Sequence, residues 1–148
     1  MEISCPHCAQ RNRVPADRLA DQPTCGRCRR SLLDAPVAAD EALLAELLAQ
    51  PRLPVLVDFW APWCGPCVGF APTFATAAAR HAGRLVFAKV NTEAVPALAQ
   101  RFLIRAIPTL AWFVGGREAG RLTGALPPAE LDRVIRRILD DQAARTAA

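Results

Sequence analysis

The chain has 148 residues, is 52% hydrophobic and carries a formal charge of +4, which allows one packed domain, or one with a small appendage. No apolar run approaches the roughly 18 residues needed to span a bilayer, so no membrane partner is expected. Basic and acidic residues alternate closely enough that neither half is a basic arm.

Residues 1–30 show neither helical nor strand periodicity and hold too few large apolar side chains to fold on a core of their own. Asp40 is an N-cap candidate, and Leu43, Leu44, Leu47 and Leu48 after it form an apolar helical stripe. Pro51 and Pro54 break the chain before VLVDFW at 55–60, a run of the kind that forms a strand buried on both faces. Residues 67–81 predict a helix with Pro72 as a kink, 85–91 a second strand, and 94–101 a short helix. TLAWFV at 109–114 predicts a third strand, and Gly115-Gly116 a hairpin turn into REAGRLTG. Leu131, Val134, Ile135, Ile138 and Leu139 space a last amphipathic helix, with 143–148 expected to fray. This order implies an α/β fold, a mixed sheet with helices on both faces.

All six cysteines fall in CxxC pairs: Cys5/Cys8, Cys25/Cys28 and Cys64/Cys67. WAPWCGPC at 60–67 stands between a buried strand and a helix. A sulfur at a helix N-terminus is favoured as thiolate by the free N–H groups and the dipole. Cys64 is therefore expected to be the nucleophile and Cys67, one turn on, the resolving thiol. Gly65 and Pro66 shape the turn between them, Pro66 being pre-set for a first helical turn. Asp58, inside an all-apolar strand, is expected to point into the core with a raised pKa and to relay the proton of Cys67. Lys89, the single lysine, sits on the neighbouring strand, where it pairs with Asp58 or snorkels to the surface.

The stretches VDFWAPWCGPC and AIPT at 106–109, with Gly124 in LTGAL, resemble the thioredoxin family in sequence and order. The resemblance runs from about residue 37 to 142. It implies a five-stranded mixed sheet flanked by four helices and a redox-active Cys64–Cys67 disulfide. It also implies a cis Ile107-Pro108 bond against the dithiol, whose preceding backbone pairs with the substrate chain, and Trp63 packed beside the cysteines. One departure stands out: where the family commonly has a basic residue after the second cysteine, this chain has Val68-Gly69.

Cys5, Cys8, Cys25 and Cys28 form C-x2-C-x16-C-x2-C, a spacing read as a four-thiolate zinc site. Tetrahedral zinc would supply the folding energy that this segment lacks. CPHC is also the active-site sequence of strongly oxidising periplasmic disulfide enzymes, but no strand precedes it and no helix follows to lower a thiol pKa. A redox pair and disulfides between the two pairs are the alternatives. His7 reads as an exposed turn residue, and His81 as a surface residue favouring a helix dipole. The chain as a whole is similar to the zinc-binding second thioredoxins of bacteria. That resemblance implies a zinc-binding module at 1–34, a thioredoxin domain at 35–142 complete without it, and a cytoplasmic protein-disulfide reductase. It implies recharge by an NADPH-dependent flavoprotein thioredoxin reductase, and an association with oxidative stress. The absence of an apolar leader in the first thirty residues points to the same compartment. Two other readings are a zinc-gated, redox-activated holdase and a nucleic-acid-binding zinc module. The second is disfavoured because residues 1–34 contain no aromatic for base stacking.

Overall fold

The computed structural model describes residues 1–147. It contains a two-stranded antiparallel hairpin, β1 (Glu2–Ser4) and β2 (Arg11–Arg13), and a 3-10 helix over Ala16–Asp21. After these come β3 (Val37–Ala38), α1 (Glu41–Ala49), β4 (Val55–Trp60), α2 (Gly65–Arg80) and β5 (Val86–Asn91). The chain ends with α3 (Pro96–Arg101), β6 (Thr109–Val114), β7 (Arg117–Thr123) and α4 (Pro128–Ala147). The main sheet has the order β3-β5-β4-β6-β7, with β4 parallel to β5 and antiparallel to β6. This is the thioredoxin fold.

Local chemistry accounts for most element ends. The Asp40 carboxylate accepts the Leu43 N–H at 2.9 Å, capping α1. Gly115 and Gly116 both take positive φ, +61° and +81°, as a two-residue turn matched to strand twist requires. Pro72 lies inside α2, which continues through it to Arg80. The tail expected to fray is helical as far as Ala147. Just ahead of it in α4, the Gln142 amide donates to the carbonyls of Pro51 and Arg52, a contact between distant parts of the chain that no local pattern announces.

Two hydrophobic clusters lie on the two faces of the sheet. On one side Leu56, Phe74, Phe87 and Leu110 meet Leu131, Ile135 and Ile138 of α4. On the other, Val57, Phe59, Val86 and Ala88 meet Leu43, Leu44 and Leu47 of α1, and this cluster runs on without a break into Ile3, Val14, Leu19, Cys25 and Leu32. The sequence suggests that the sheet domain is complete without its N-terminal segment; in the structure the two share one core. The reason is that residues 1–33 have apolar side chains for one face only, and that face closes over α1 and β3.

Candidate functional site: a helix-capping dithiol and a four-cysteine cluster

Cys64 is the N-cap of α2, and its Sγ accepts the Cys67 N–H at 3.2 Å. The two cysteines form a disulfide, with Cα atoms 5.2 Å apart. Gly65 opens the helix, and Pro66 fills a first-turn position where no N–H is needed. Both cysteines are nearly covered, Cys64 at 6% and Cys67 at 1% exposure, in a small cluster with Ala61, Trp60 and Ile107. The Ile107-Pro108 bond is cis, and the Ile107 carbonyl oxygen lies 3.8 Å from Cys64 Sγ. That loop is held from behind: the Gly124 N–H donates to the Pro108 carbonyl at 2.8 Å, and the buried Thr109 hydroxyl donates to the Ala106 carbonyl. Trp63, expected to pack beside the cysteines, is 71% exposed, so most of its ring faces solvent at the mouth of the site.

Asp58 is wholly buried, and neither carboxylate oxygen has a hydrogen-bond partner. Burial raises its pKa from 3.8 to about 6, against a smaller opposing pull from Lys89. Asp58 and Lys89 stand side by side in the β4–β5 register. Among the described residues, however, no ion pair joins them. The ammonium instead lies over the Trp60 ring, 4.4 Å from its centroid, and Lys89 lines a groove of about 720 Å³ between β2, α1 and β5. Cation–π contact and water access are open to Lys89 there, whereas a direct pair would require both charges to be desolvated.

The N-terminal cysteines converge. The four Sγ atoms all lie within 4.8 Å of one another, with Cys5–Cys28 and Cys8–Cys25 sulfur pairs at 3.6 Å. Tetrahedral zinc with Zn–S bonds near 2.3 Å has a sulfur–sulfur edge of ~3.8 Å, so the cage has the right size. The two CxxC turns are built alike. The N–H groups of His7 and Arg27 point at Cys5 and Cys25 Sγ at 3.4 and 3.3 Å. Those of Ala9 and Arg29 bond the Cys5 and Cys25 carbonyls, and Cys5 and Cys25 in turn donate to Gln10 and Arg30. Asn12 adds an amide donor to Cys25 Sγ and accepts the Gly26 N–H, so Gly26 reaches the sulfur only through Asn12. Cys25 is lowered to about 6, chiefly by the Cys28 backbone N–H. At Cys8 the Gln10 backbone lowers the pKa, but burial and the neighbouring sulfurs outweigh it and carry it to about 11. Four sulfurs this close hold four negative charges only around a cation, which is the donor chemistry of a structural metal site.

Two histidines differ from the sequence expectation. His7 is half-buried, and its Nε2 lies 2.6 Å from Asp34 Oδ1. His81 caps the C-terminus of α2, but its Nδ1 is buried without a partner. Burial, then Arg84, depress its pKa, so it does not serve as the helix-end cation.

A dithiol capping a helix, opposed by a cis-proline loop on this sheet, defines a thiol–disulfide oxidoreductase. The comparisons with known proteins agree. The Thioredoxin family profile matches residues 34–137, and the profile for the N-terminal segment of thioredoxin 2 matches residues 4–30. The chain is 41% identical over 143 residues to Thioredoxin C-3 of Corynebacterium nephridii, covering 96% of this chain and 98% of that one. It is 44% identical to Thioredoxin 1 of a Nostoc strain over 107 residues, 72% of this chain and all of the other. A mutant thioredoxin from Halobacterium salinarum superposes with a TM-score of 0.66 at 28% identity, over 72% of this chain and 92% of that one. The chain belongs to the thioredoxin family. It is a protein-disulfide reductase, and membership of the family implies disulfide substrates and a reductase partner.

Proposed function

We propose that the chain reduces cytoplasmic protein disulfides through Cys64 and Cys67, with zinc as a structural or regulatory ion at Cys5, Cys8, Cys25 and Cys28. The observation that carries the dithiol assignment is the position of Cys64: N-cap of α2, bonded to Cys67, 3.8 Å from the Ile107 carbonyl. In the reduced protein the α2 N–H groups favour the Cys64 thiolate. That thiolate attacks one substrate sulfur; the substrate S–S bond breaks, and the departing sulfur takes up a proton. The backbone at Ile107, ahead of Pro108, holds the substrate chain across the cysteines, with Gly124 bracing the loop and Trp63 at its mouth. Asp58 accepts the Cys67 proton, a step for which a carboxylate with a pKa near 6 is suited at neutral pH. Lys89 tempers the negative charge that Asp58 carries before it takes that proton. Cys67 then attacks Cys64, forming their disulfide and releasing the second substrate thiol, so two electrons and two protons reach the substrate. An NADPH-dependent flavoprotein reductase returns the two electrons, completing a cycle suited to oxidative stress.

Zinc at the four-cysteine cage would tie the two CxxC turns and the β1–β2 hairpin to the shared core, where it contributes stability. The domain boundary near residue 34 fits the stretch between the last cysteine turn and β3. No helix among the described residues is long and apolar enough to cross a membrane.

Trapping tests the assignment. Cys67→Ser should accumulate mixed disulfides at Cys64, while Cys64→Ser should neither turn over nor trap; equal behaviour of the two variants would overturn it. Native mass spectrometry with thiol alkylation should find one zinc and a first disulfide at Cys64–Cys67 on mild peroxide treatment. Metal-free protein whose Cys5–Cys8 pair oxidises as readily would overturn the zinc assignment.

A further inference from the structure

Val68 lies one helical turn beyond Cys64, its N–H donating to the Cys64 carbonyl at 3.0 Å. Residues four apart share a helix face, so its side chain stands beside the reactive sulfur on the solvent side. Val68 is 54% exposed and Trp63 71%, and the partly buried Ile107 packs on the dithiol cluster. Apolar side chains thus flank the dithiol in the chain on the residue before it (Trp63) and on the residue after it (Val68), with Ile107 packed against it from the cis-proline loop. Gly69 adds no side chain, and a Cβ there would meet nothing within 4 Å. The charge pattern is equally pointed. Between Asp58, which is buried, and Arg80 the sequence has no charged residue, so the exposed face of α2 offers no ion-pairing partner for three turns past the dithiol. On the cis-proline loop the nearest charge in sequence is Arg105, two residues before Ile107.

Resting on the dithiol function above, we propose that Val68 is a specificity-determining residue. It selects, on the α2 side of the cysteines, disulfides flanked by uncharged apolar residues. The occupant is the substrate's own chain next to the attacked sulfur, which must lie across this surface for Cys64 to reach the disulfide. An apolar flank gains by covering Val68 and Trp63. A flanking charge of either sign loses water there and finds no counter-charge on α2. A charged residue at this position would reverse the preference for the opposite sign, and the valine abolishes it.

The test uses the full-length, zinc-replete protein and three disulfide-linked peptides that differ only in whether Leu, Asp or Lys flanks the cysteine. Each kcat/KM is divided by the same variant's kcat/KM for a small neutral disulfide, which removes effects on the dithiol itself. The wild type should favour the Leu peptide over both charged ones by roughly tenfold, the scale of one apolar contact, with little dependence on salt. Val68→Lys should gain on the Asp peptide and lose on the Leu peptide, and Val68→Glu should gain on the Lys peptide, both gains fading with salt. Ala79→Lys, with the same added charge about 16 Å further along α2, should leave the preference where it was. Equal wild-type rates for all three peptides, or Val68→Lys and Val68→Glu variants that both keep the wild-type order, would overturn the inference while leaving the dithiol function intact. A wild type that reduces none of the peptides but does reduce the small disulfide would overturn it too. Failure on every disulfide would instead bring down the function on which it rests.

Discussion

Replacing Asp58 by asparagine should stabilise the oxidised protein, and the gain should depend on pH in a definite way. The carboxyl is fully buried, neither oxygen has a hydrogen-bond partner, and its pKa is raised from 3.8 to about 6. Below about pH 4 both folded and unfolded chains hold this proton, so ionisation costs the fold nothing. Between 3.8 and about 6 the unfolded chain releases the proton while the folded one keeps it, and stability falls as pH rises. Above that window the penalty is complete. At about 1.4 kcal/mol per pKa unit it amounts to ~3 kcal/mol.

An asparagine side chain cannot ionise, so the Asp58→Asn variant escapes this loss. It carries instead a pH-independent cost of about 1–3 kcal/mol for an unbonded buried amide, so the quantity to read is the change with pH. Urea denaturation of both proteins in the oxidised state, where the dithiol does not titrate, should show the variant gaining ~3 kcal/mol on the wild type between about pH 4 and pH 8. Lys89→Met should widen the wild-type window upward, because Lys89 opposes the effect of burial. A difference between the wild type and the Asp58→Asn variant that stays flat across this range would refute the reasoning. It would mean that water or a partner reaches the carboxylate.

Other consequences can be checked on the same protein. Leu103 occupies the C′ position of α3 with φ +54°, in a Schellman cap where Ile104 donates to the Ala99 carbonyl and Leu103 to that of Gln100. Its side chain is 69% exposed, so Leu103→Gly loses little packing. It should gain about 0.5–1 kcal/mol in chemical denaturation. Gly120 sits against the Trp112 ring, which an added Cβ would overlap; Gly120→Ala should cost about 1–3 kcal/mol and disturb the tryptophan fluorescence. Chelating zinc from the reduced protein should release amide protection in β1, β2 and both cysteine turns, while β4, β5 and β6 stay protected. Hydrogen exchange resolved by segment reads this, and unchanged protection of β1 and β2 would count against a metal-built module.

The parts of the fold that were legible in the sequence are those decided by short-range chemistry. Asp40 and its stripe of leucines, the apolar run of β4, Gly115-Gly116, and WCGPC between strand and helix each need only their immediate neighbours to be read. The parts that were not legible depend on distant contacts. Strands β1 and β2 are three residues each, too short for periodicity, and they are pinned by sulfurs that come together from distant parts of the segment. Strand β3 is two residues on the sheet edge, defined by its pairing with Ala88 and Lys89. The end of α3 lacks its usual glycine signal because Leu103 takes the left-handed position. Lys89 was readable as a neighbour of Asp58 by register, but its preference for the Trp60 ring required the side chains in place. The sequence alone leaves His7 exposed because Asp34, which holds it, comes 27 residues later.

The three CxxC pairs share a backbone device and diverge at one residue, which explains why sequence spacing alone cannot tell a redox pair from a metal pair. In each, the residue four beyond the first cysteine donates its N–H to that cysteine's carbonyl: Ala9 to Cys5, Arg29 to Cys25, Val68 to Cys64. Ala9 and Arg29 then take φ of +66° and +70°, which turns the chain back so that Gln10 and Arg30 bond the first cysteine's N–H. No helix can continue from there, and each pair of sulfurs is left facing outward toward the other pair. Val68 stays helical, α2 runs on for three more turns, and the N–H that meets Cys64 Sγ belongs to Cys67 itself. The sulfurs are thereby aimed at each other, under the field of a full helix rather than of a single turn. The left-handed residue after the second cysteine therefore separates a cage from a dithiol, and Val68, being helical, falls on the dithiol side of that division with its side chain left over for the substrate.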